Sequence, residues 1–215
     1  MKEGLKEFFC GLLAGGRPGD RLCHALAGRQ FPLPCFLCEA PYIPAGPRPW
    51  HNGSLLDHMA RCMNAVAGNP LAVWMALTHD AGKLTTPKVL WPHHYGHELR
   101  GVLLAAVWAK SLDLSQEYLT CGCLAARLHM KAGRYALLRP GTRYGLLLEV
   151  ENGTCADSFW KVVDADTRSA VSLRAREDWR RIRDFSGAGL SGERLRQQQI
   201  RLLANADRSC NLKRR

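Results

Sequence analysis

Residues 70–83 read PLAVWMALTHDAGK, a stretch that is apolar nearly all round until its C-terminal end. A helix without a polar face cannot lie on a surface, so this one must be wrapped by other elements. Pro70 stands where a helix can do without an N–H, and Gly82 marks the stop. The stretch therefore carries two ionisable side chains, His79 and Asp80, into the interior. Neighbours on a helix point roughly 100° apart, close to the right angle between two cis ligands of an octahedral ion.

The surrounding sequence is helical in pattern. From Ser54, a natural N-cap, Leu55, Met59, Cys62 or Met63 and Val66 form one stripe in a helix that contains His58 and ends near Gly68. Further helices are expected over about 97–111, over 115–130 with His129, and from Pro140 as N1 residue. SFWKVVDADTRSAVSLRAREDWRRIRDF reads as one helical stretch holding Asp166, and Ser191 caps a final amphipathic helix. Strand-like alternation is scarce; RYGLLLEV allows a short strand, but its surroundings favour helix. The expected fold is all-α, a helical bundle around a buried metal site. Residues 1–49, which include the Pro-rich PLPCFLCEAPYIPAGPRP, form an accessory segment, and residues 50–215 form the main domain.

Seven of the eight histidines fall between residues 51 and 129, among the most apolar helices. Burying imidazoles and carboxylates together costs several kcal/mol unless they are paired or share a cation. Imidazole and carboxylate donors without thiolate suit Mn, Fe, Co, Ni or Zn, and Mg where carboxylates and water dominate.

The residues that carry a family likeness are LTHDAGKLTTPKVLWPHHYGHELRG, LRPGT at 138–142, VDADTRSA and GERLRQQQIRLLANA. From Trp50 to about Asn211 the chain resembles the C-terminal HD domain of bacterial tRNA nucleotidyltransferases and, more broadly, the HD phosphohydrolase superfamily. The resemblance implies that His58, His79, Asp80 and Asp166 hold one divalent ion. His97 and His129 match family histidines near the phosphate. The whole H…HD…H…H…D pattern can hold two ions in related HD proteins, bridged by the central Asp, although Met130 stands where such relatives often have a second consecutive His. Ser169, Leu56-Asp57 and Tyr95 also depart from the family pattern. Asp207 is a rival for the distal ligand.

The implied activity is metal-dependent hydrolysis of phosphomonoesters, or of 2′,3′-cyclic phosphodiesters, of nucleotides or RNA ends. Asp80, Lys83, His97 and His129 are its expected catalytic groups, and Lys83, His94, His97, Arg100 and His129 its phosphate-facing groups. AGGRPGDRL at 14–22 faintly echoes a nucleotidyltransferase head, but no carboxylate pair follows closely enough to hold Mg²⁺ for that chemistry. The alternative is a non-catalytic RNA- or nucleotide-binding module with a structural metal. The formal charge is +11, and twelve basic against five acidic residues from Arg174 to Arg215 make RNA a candidate partner of that region.

Cys35-Phe-Leu-Cys38 with Cys23 upstream is half of a zinc-site pattern, while Cys121 and Cys123 read as core residues. Nine scattered cysteines fit a reducing cytoplasm. No run approaches the roughly 20 apolar residues of a membrane span, so no membrane partner is expected.

Overall fold

The computed structural model describes residues 2–28, 37–48 and 53–212, with side chains over 3–28, 37–48 and 53–207. Cys35, His51 and Trp50 lie outside the described residues, as do residues 213–215. Among the described residues there are ten α-helices and no strand; one isolated antiparallel bridge joins Pro44 and Ser54. In chain order the helices are α1 Lys2–Leu13, α2 Pro18–Ala27, α3 Leu55–Ala65, α4 Pro70–Thr78, α5 His97–Ser111, α6 Gln116–Gly133, α7 Pro140–Glu151, α8 Ala156–Thr167, α9 Val171–Arg183 and α10 Gly192–Leu212. Short 3-10 turns occupy Leu37–Tyr42, Ala81–Thr85, Lys88–Leu90 and Tyr135–Leu137. The architecture is an all-α bundle. Among the described residues no helix is long and apolar enough to cross a membrane.

Helix α4 is the axis of the bundle. Every residue from Ala72 to Thr78 is buried, because α1, α3, α5, α6 and α8 all touch it. Asn69 caps it by accepting a 2.9 Å bond from the Ala72 amide, and Pro70 follows at the first turn. Close approach on one side depends on Gly122 of α6, where a Cβ would meet Trp74 Nε1 at 2.5 Å. Trp74 uses that nitrogen to donate to the Tyr118 carbonyl at 2.7 Å.

The α-helix ends at Thr78, earlier than the sequence suggests. His79 is its C-cap, and from Asp80 the chain tightens, with the Lys83 amide donating to the Asp80 carbonyl at 3.0 Å. Packing explains the change. Gly82 lies against the first turn of α5, so tightly that a Cβ would stand 1.9 Å from the His97 carbonyl oxygen. The tight turn brings the His79-Asp80 pair up to the α5 N-terminus.

Residues 158–185 also form two helices instead of one. Arg168 adopts φ 53°, and the Asp164 carboxylate accepts from the Ser172 amide at 2.8 Å and from its hydroxyl. A short carboxylate thus offers the backbone an alternative to continued helix. Asp166 is left in the last turn of α8.

Helices α1 and α2 share the core, which takes in Phe8, Phe9, Leu12, Leu13 and Leu22; α1 packs on α4, and α2 on α3. At the far end Arg143 of α7 and Asp178 of α9, both buried, pair at 3.1 Å, and Tyr135 donates to the same carboxylate. Asp207 of α10 accepts from Arg143 and Arg174. This network ties α7, α9 and α10 together.

Candidate metal centre

Five separate parts of the chain deliver the site. His58 comes from α3, which starts with a capping box: Ser54 accepts from the Asp57 amide, and Asp57 accepts from the Ser54 amide. His79 and Asp80 come from the end of α4, His97 from the first residue of α5, His129 from α6 and Asp166 from α8. All four histidines and Asp80 are buried.

The orientation of the rings is the informative feature. Nδ1 of His79 donates to the Ala76 carbonyl at 2.7 Å, and Nδ1 of His97 to the His94 carbonyl at 2.8 Å. Nδ1 of His129 faces the Ala125 and Ala126 carbonyls, each at 3.1 Å. A carbonyl only accepts, so the ring proton of each neutral imidazole sits on Nδ1, leaving the Nε2 lone pair free. Each of those Nε2 atoms meets the Nε2 of another ring. His97 and His129 bring them to 3.3 Å, and His58 and His79 to 3.1 Å. Lone pairs at such separations repel unless a proton or a cation lies between them.

Two donor groups result. In the first, His58 Nε2 lies 3.2 Å from Asp80 Oδ2 and 3.2 Å from Asp166 Oδ1, while His79 Nε2 lies 3.5 and 3.9 Å from the same atoms. In the second, Asp80 Oδ1 lies 3.3 Å from both His97 Nε2 and His129 Nε2. Donors sharing an ion at about 2.1 Å sit roughly 3.0–3.5 Å apart at octahedral to tetrahedral angles. Most of these separations meet that requirement. Asp80 Oδ1 is buried and, among the described residues, receives no well-directed hydrogen bond, which is the condition of a lone pair awaiting a cation.

Electrostatics show how much positive charge the cluster demands. Burial opposes a charge on His58, but Asp166 and Asp80 outweigh it and raise its pKa to about 11. Burial dominates at His79 and lowers its pKa to about 4. Burial would likewise raise the two carboxyls, yet Lys83 and the histidines hold Asp80 well below the carboxylate range, and His58 and His79 do so for Asp166. At His129 burial is outweighed by Asp80 and Asp166, so its pKa rises. Protons on imidazoles here do the work that a bound cation would do, and binding one would release them.

Supporting contacts fix the donors. Lys83 is buried and donates to Asp80 Oδ2 and to the Ala45 carbonyl, both at 2.7 Å. Arg61, three residues after His58, binds the Ala165 carbonyl at 2.5 Å and places a nitrogen 3.0 Å from His58 Nδ1, clamping α3 to the end of α8. A guanidinium only donates, so an ion at His58 Nε2, which shifts the ring proton to Nδ1, would compete with that contact. Cys62 joins the first group, its Sγ 3.9 Å from His58 Nε2. Sequence reasoning passed over Arg61 and Cys62, although spacings of three and four residues put both beside His58 on a helix.

The other expected groups are placed differently. His94 is buried, with Nε2 at 2.8 Å from the Pro44 carbonyl and Nδ1 without a partner among the described residues. Arg100 stands apart from the donors and braces the loop below α5 through Thr85 Oγ1, Thr86 Oγ1 and the Tyr95 carbonyl. Asp207 is taken up by the arginines of the distal network and does not join the centre. Neither donor group includes Cys23 or Cys38. Beside the centre opens a cavity of about 550 Å³, with Lys83 and His97 among its lining residues.

No family model and no solved structure matches the chain. Among curated proteins it is similar to the multifunctional CCA protein of Nitrosococcus oceani, 34% identical over 152 residues that make up 61% of this chain and 37% of the relative. The multifunctional CCA protein of Alkalilimnicola ehrlichii is 31% identical over 187 residues, 75% of this chain and 45% of the relative. That of Legionella pneumophila strain Lens is 33% identical over 112 residues, 52% of this chain and 27% of the relative. The chain spans less than half the length of these relatives, and its homologues are multifunctional CCA proteins.

Proposed function

We propose that this chain is an HD-type metal-dependent phosphohydrolase that cleaves phosphomonoesters, or 2′,3′-cyclic phosphodiesters, of nucleotides or RNA ends. The observation that carries this reading is the convergence of four Nε2 atoms and two carboxylates in one buried cluster, three of the rings having Nδ1 directed at backbone carbonyls. His58, His79, Asp80 and Asp166 would hold one divalent ion; Asp80, His97 and His129 would hold a second. The resemblance to HD domains supplies the reaction class, and similarity to multifunctional CCA proteins supports an RNA-related substrate.

A divalent ion supplies charge stabilisation to phosphoryl oxygens and lowers the pKa of bound water. The chain's own residues do the positioning. Asp80 is kept ionised by Lys83, so one carboxylate presents Oδ2 to the first donor group and Oδ1 to the second. Lys83 also lines the adjoining cavity, where its charge can meet a phosphate oxygen. His97, fixed by its Nδ1 contact, lines the cavity, and His129, fixed in the same way, stands against His97 at 3.3 Å. Burial of the donors excludes bulk water and strengthens every one of these interactions.

The binding-module alternative relies on free cations near the C-terminus. Arg174, Arg176, Arg181 and Arg183 of α9 each pair with an acidic side chain, which reduces the free positive charge of that helix. The deciding experiment assays purified protein against 2′,3′-cyclic nucleotides, nucleotide monophosphates and bis(p-nitrophenyl) phosphate with Mg, Mn, Ni and Co in turn. Metal-stimulated turnover that disappears in Asp80→Ala is expected. Turnover that survives the substitution would overturn the assignment of the site.

A further inference from the structure

The cavity beside the metal centre is larger than hydrolysis of a phosphate ester requires. Its volume of about 550 Å³ lies within the range of roughly 300–1,000 Å³ usual for small-ligand sites. Lys83 and His97 line it, and both face Asp80, at 2.7 and 3.3 Å. A substrate whose phosphate reaches Asp80 therefore carries its remaining atoms into this space.

The lining has the chemistry of a nucleotide site. His93 and Tyr95 lie nearly parallel, with centroids 5.6 Å apart and planes 10° off, and Tyr95 is 71% exposed. An open aromatic face next to a reaction centre suits a base, since every base has a π-face to stack. Lys131 and Arg134, at the end of α6, line the same space; both are exposed, and neither has an acidic partner among the described residues. His94, in the same wall, is turned inward: its Nε2 donates to the Pro44 carbonyl at 2.8 Å and its Nδ1 is buried, so it holds the loop between the two rings and does not itself meet a ligand.

We propose that Tyr95 stacked on His93, with Lys131 and Arg134, forms a nucleotide subsite for the end of an RNA strand. The ring pair takes the terminal base, and the two cations the next phosphate along the strand. The proposal rests on the phosphohydrolase reading for the direction in which the substrate lies.

Calorimetric binding to the purified, metal-bearing chain tests it with two slowly hydrolysed probes, adenosine 3′-phosphorothioate and a ribotrinucleotide bearing a 3′-phosphorothioate. Tyr95→Ala is expected to weaken both about tenfold, and Tyr95→Phe to retain wild-type affinity. Lys131→Ala/Arg134→Ala is expected to weaken the trinucleotide and to flatten its salt dependence. Equal weakening of both probes by that pair would move the cations onto the terminal phosphate and make a free mononucleotide the ligand. In turnover, the ratio of kcat/KM for 2′,3′-cyclic AMP to that for bis(p-nitrophenyl) phosphate should fall about tenfold in Tyr95→Ala. Absence of binding, or binding indifferent to Tyr95→Ala, overturns the subsite even in an active hydrolase. Tyr95-dependent binding by a protein that hydrolyses none of the esters sinks the phosphohydrolase reading and leaves the subsite standing.

Discussion

At the residue scale, the centre is governed by which nitrogen of each ring carries the proton. Backbone carbonyls of Ala76, His94 and Ala125 hold Nδ1 of His79, His97 and His129, so the opposite nitrogens have no choice but to face one another around Asp80. Asp80 belongs to both donor groups, and the expected consequence is that Asp80→Asn strips metal from the whole centre, whereas His129→Ala strips it only from the second group. Elemental analysis of the purified variants checks this: equal metal content in the two would count against a shared carboxylate. Ion binding would also stabilise the fold, by about 2.7 kcal/mol at a free ion concentration ~100 times the dissociation constant. Thermal melting with and without EDTA should show that increment in the wild type and not in Asp80→Asn.

At the scale of elements, the sequence rules for single helices served well. Ser54, Pro70 and Pro140 start α3, α4 and α7 as their residue types require. Ser54→Ala removes the hydroxyl that accepts from the Asp57 amide, leaves the backbone amide that donates to Asp57, and should cost about 1 kcal/mol in urea unfolding. Gly82→Ala is a different kind of change. Its Cβ would collide with the His97 carbonyl, so the HD turn and α5 must separate, at about 3 kcal/mol by the usual cost of overpacking. The collision pulls Asp80 away from His97, and metal content should drop along with stability. Helix ends were less legible. Nothing local distinguishes Thr78 from Gly82 as the end of α4, and the break after Thr167 depends on Asp164 reaching Ser172, one of several polar pairs that a sequence offers.

Over the whole molecule, two buried charge systems lie at different ends of the bundle. One is the candidate metal centre; the other joins Arg143, Asp178 and Tyr135, with Arg174 and Asp207 at its margin. Asp178→Ala leaves the buried guanidinium of Arg143 without its buried carboxylate partner, with only the half-exposed Asp207 remaining, and should destabilise the chain by about 3–5 kcal/mol. Replacing both partners together, as Arg143→Met/Asp178→Leu, should recover most of that loss, since well-packed apolar groups have no charge to desolvate. Chemical denaturation of the single and double variants measures the difference, and a double variant no better than Asp178→Ala would rule the explanation out.

What the sequence determined unaided was local: the all-round apolar α4 that has to be wrapped, the caps, the HD pair at its end, and the set of histidines too concentrated in apolar helices to be surface groups. Spacing alone could not say that Asp166 faces His58 while Asp207 faces Arg143, because both lie on helices far along the chain. Packing of α8 against α3, α4 and α6 decided it. Tertiary structure also set the ring tautomers, through carbonyls whose direction depends on where each helix ends, and placed His93 and Tyr95 side by side over a cavity. The physical reason is range: propensity and capping act within a few residues, whereas the position of a lone pair relative to one on another helix is fixed only once the helices between them have packed.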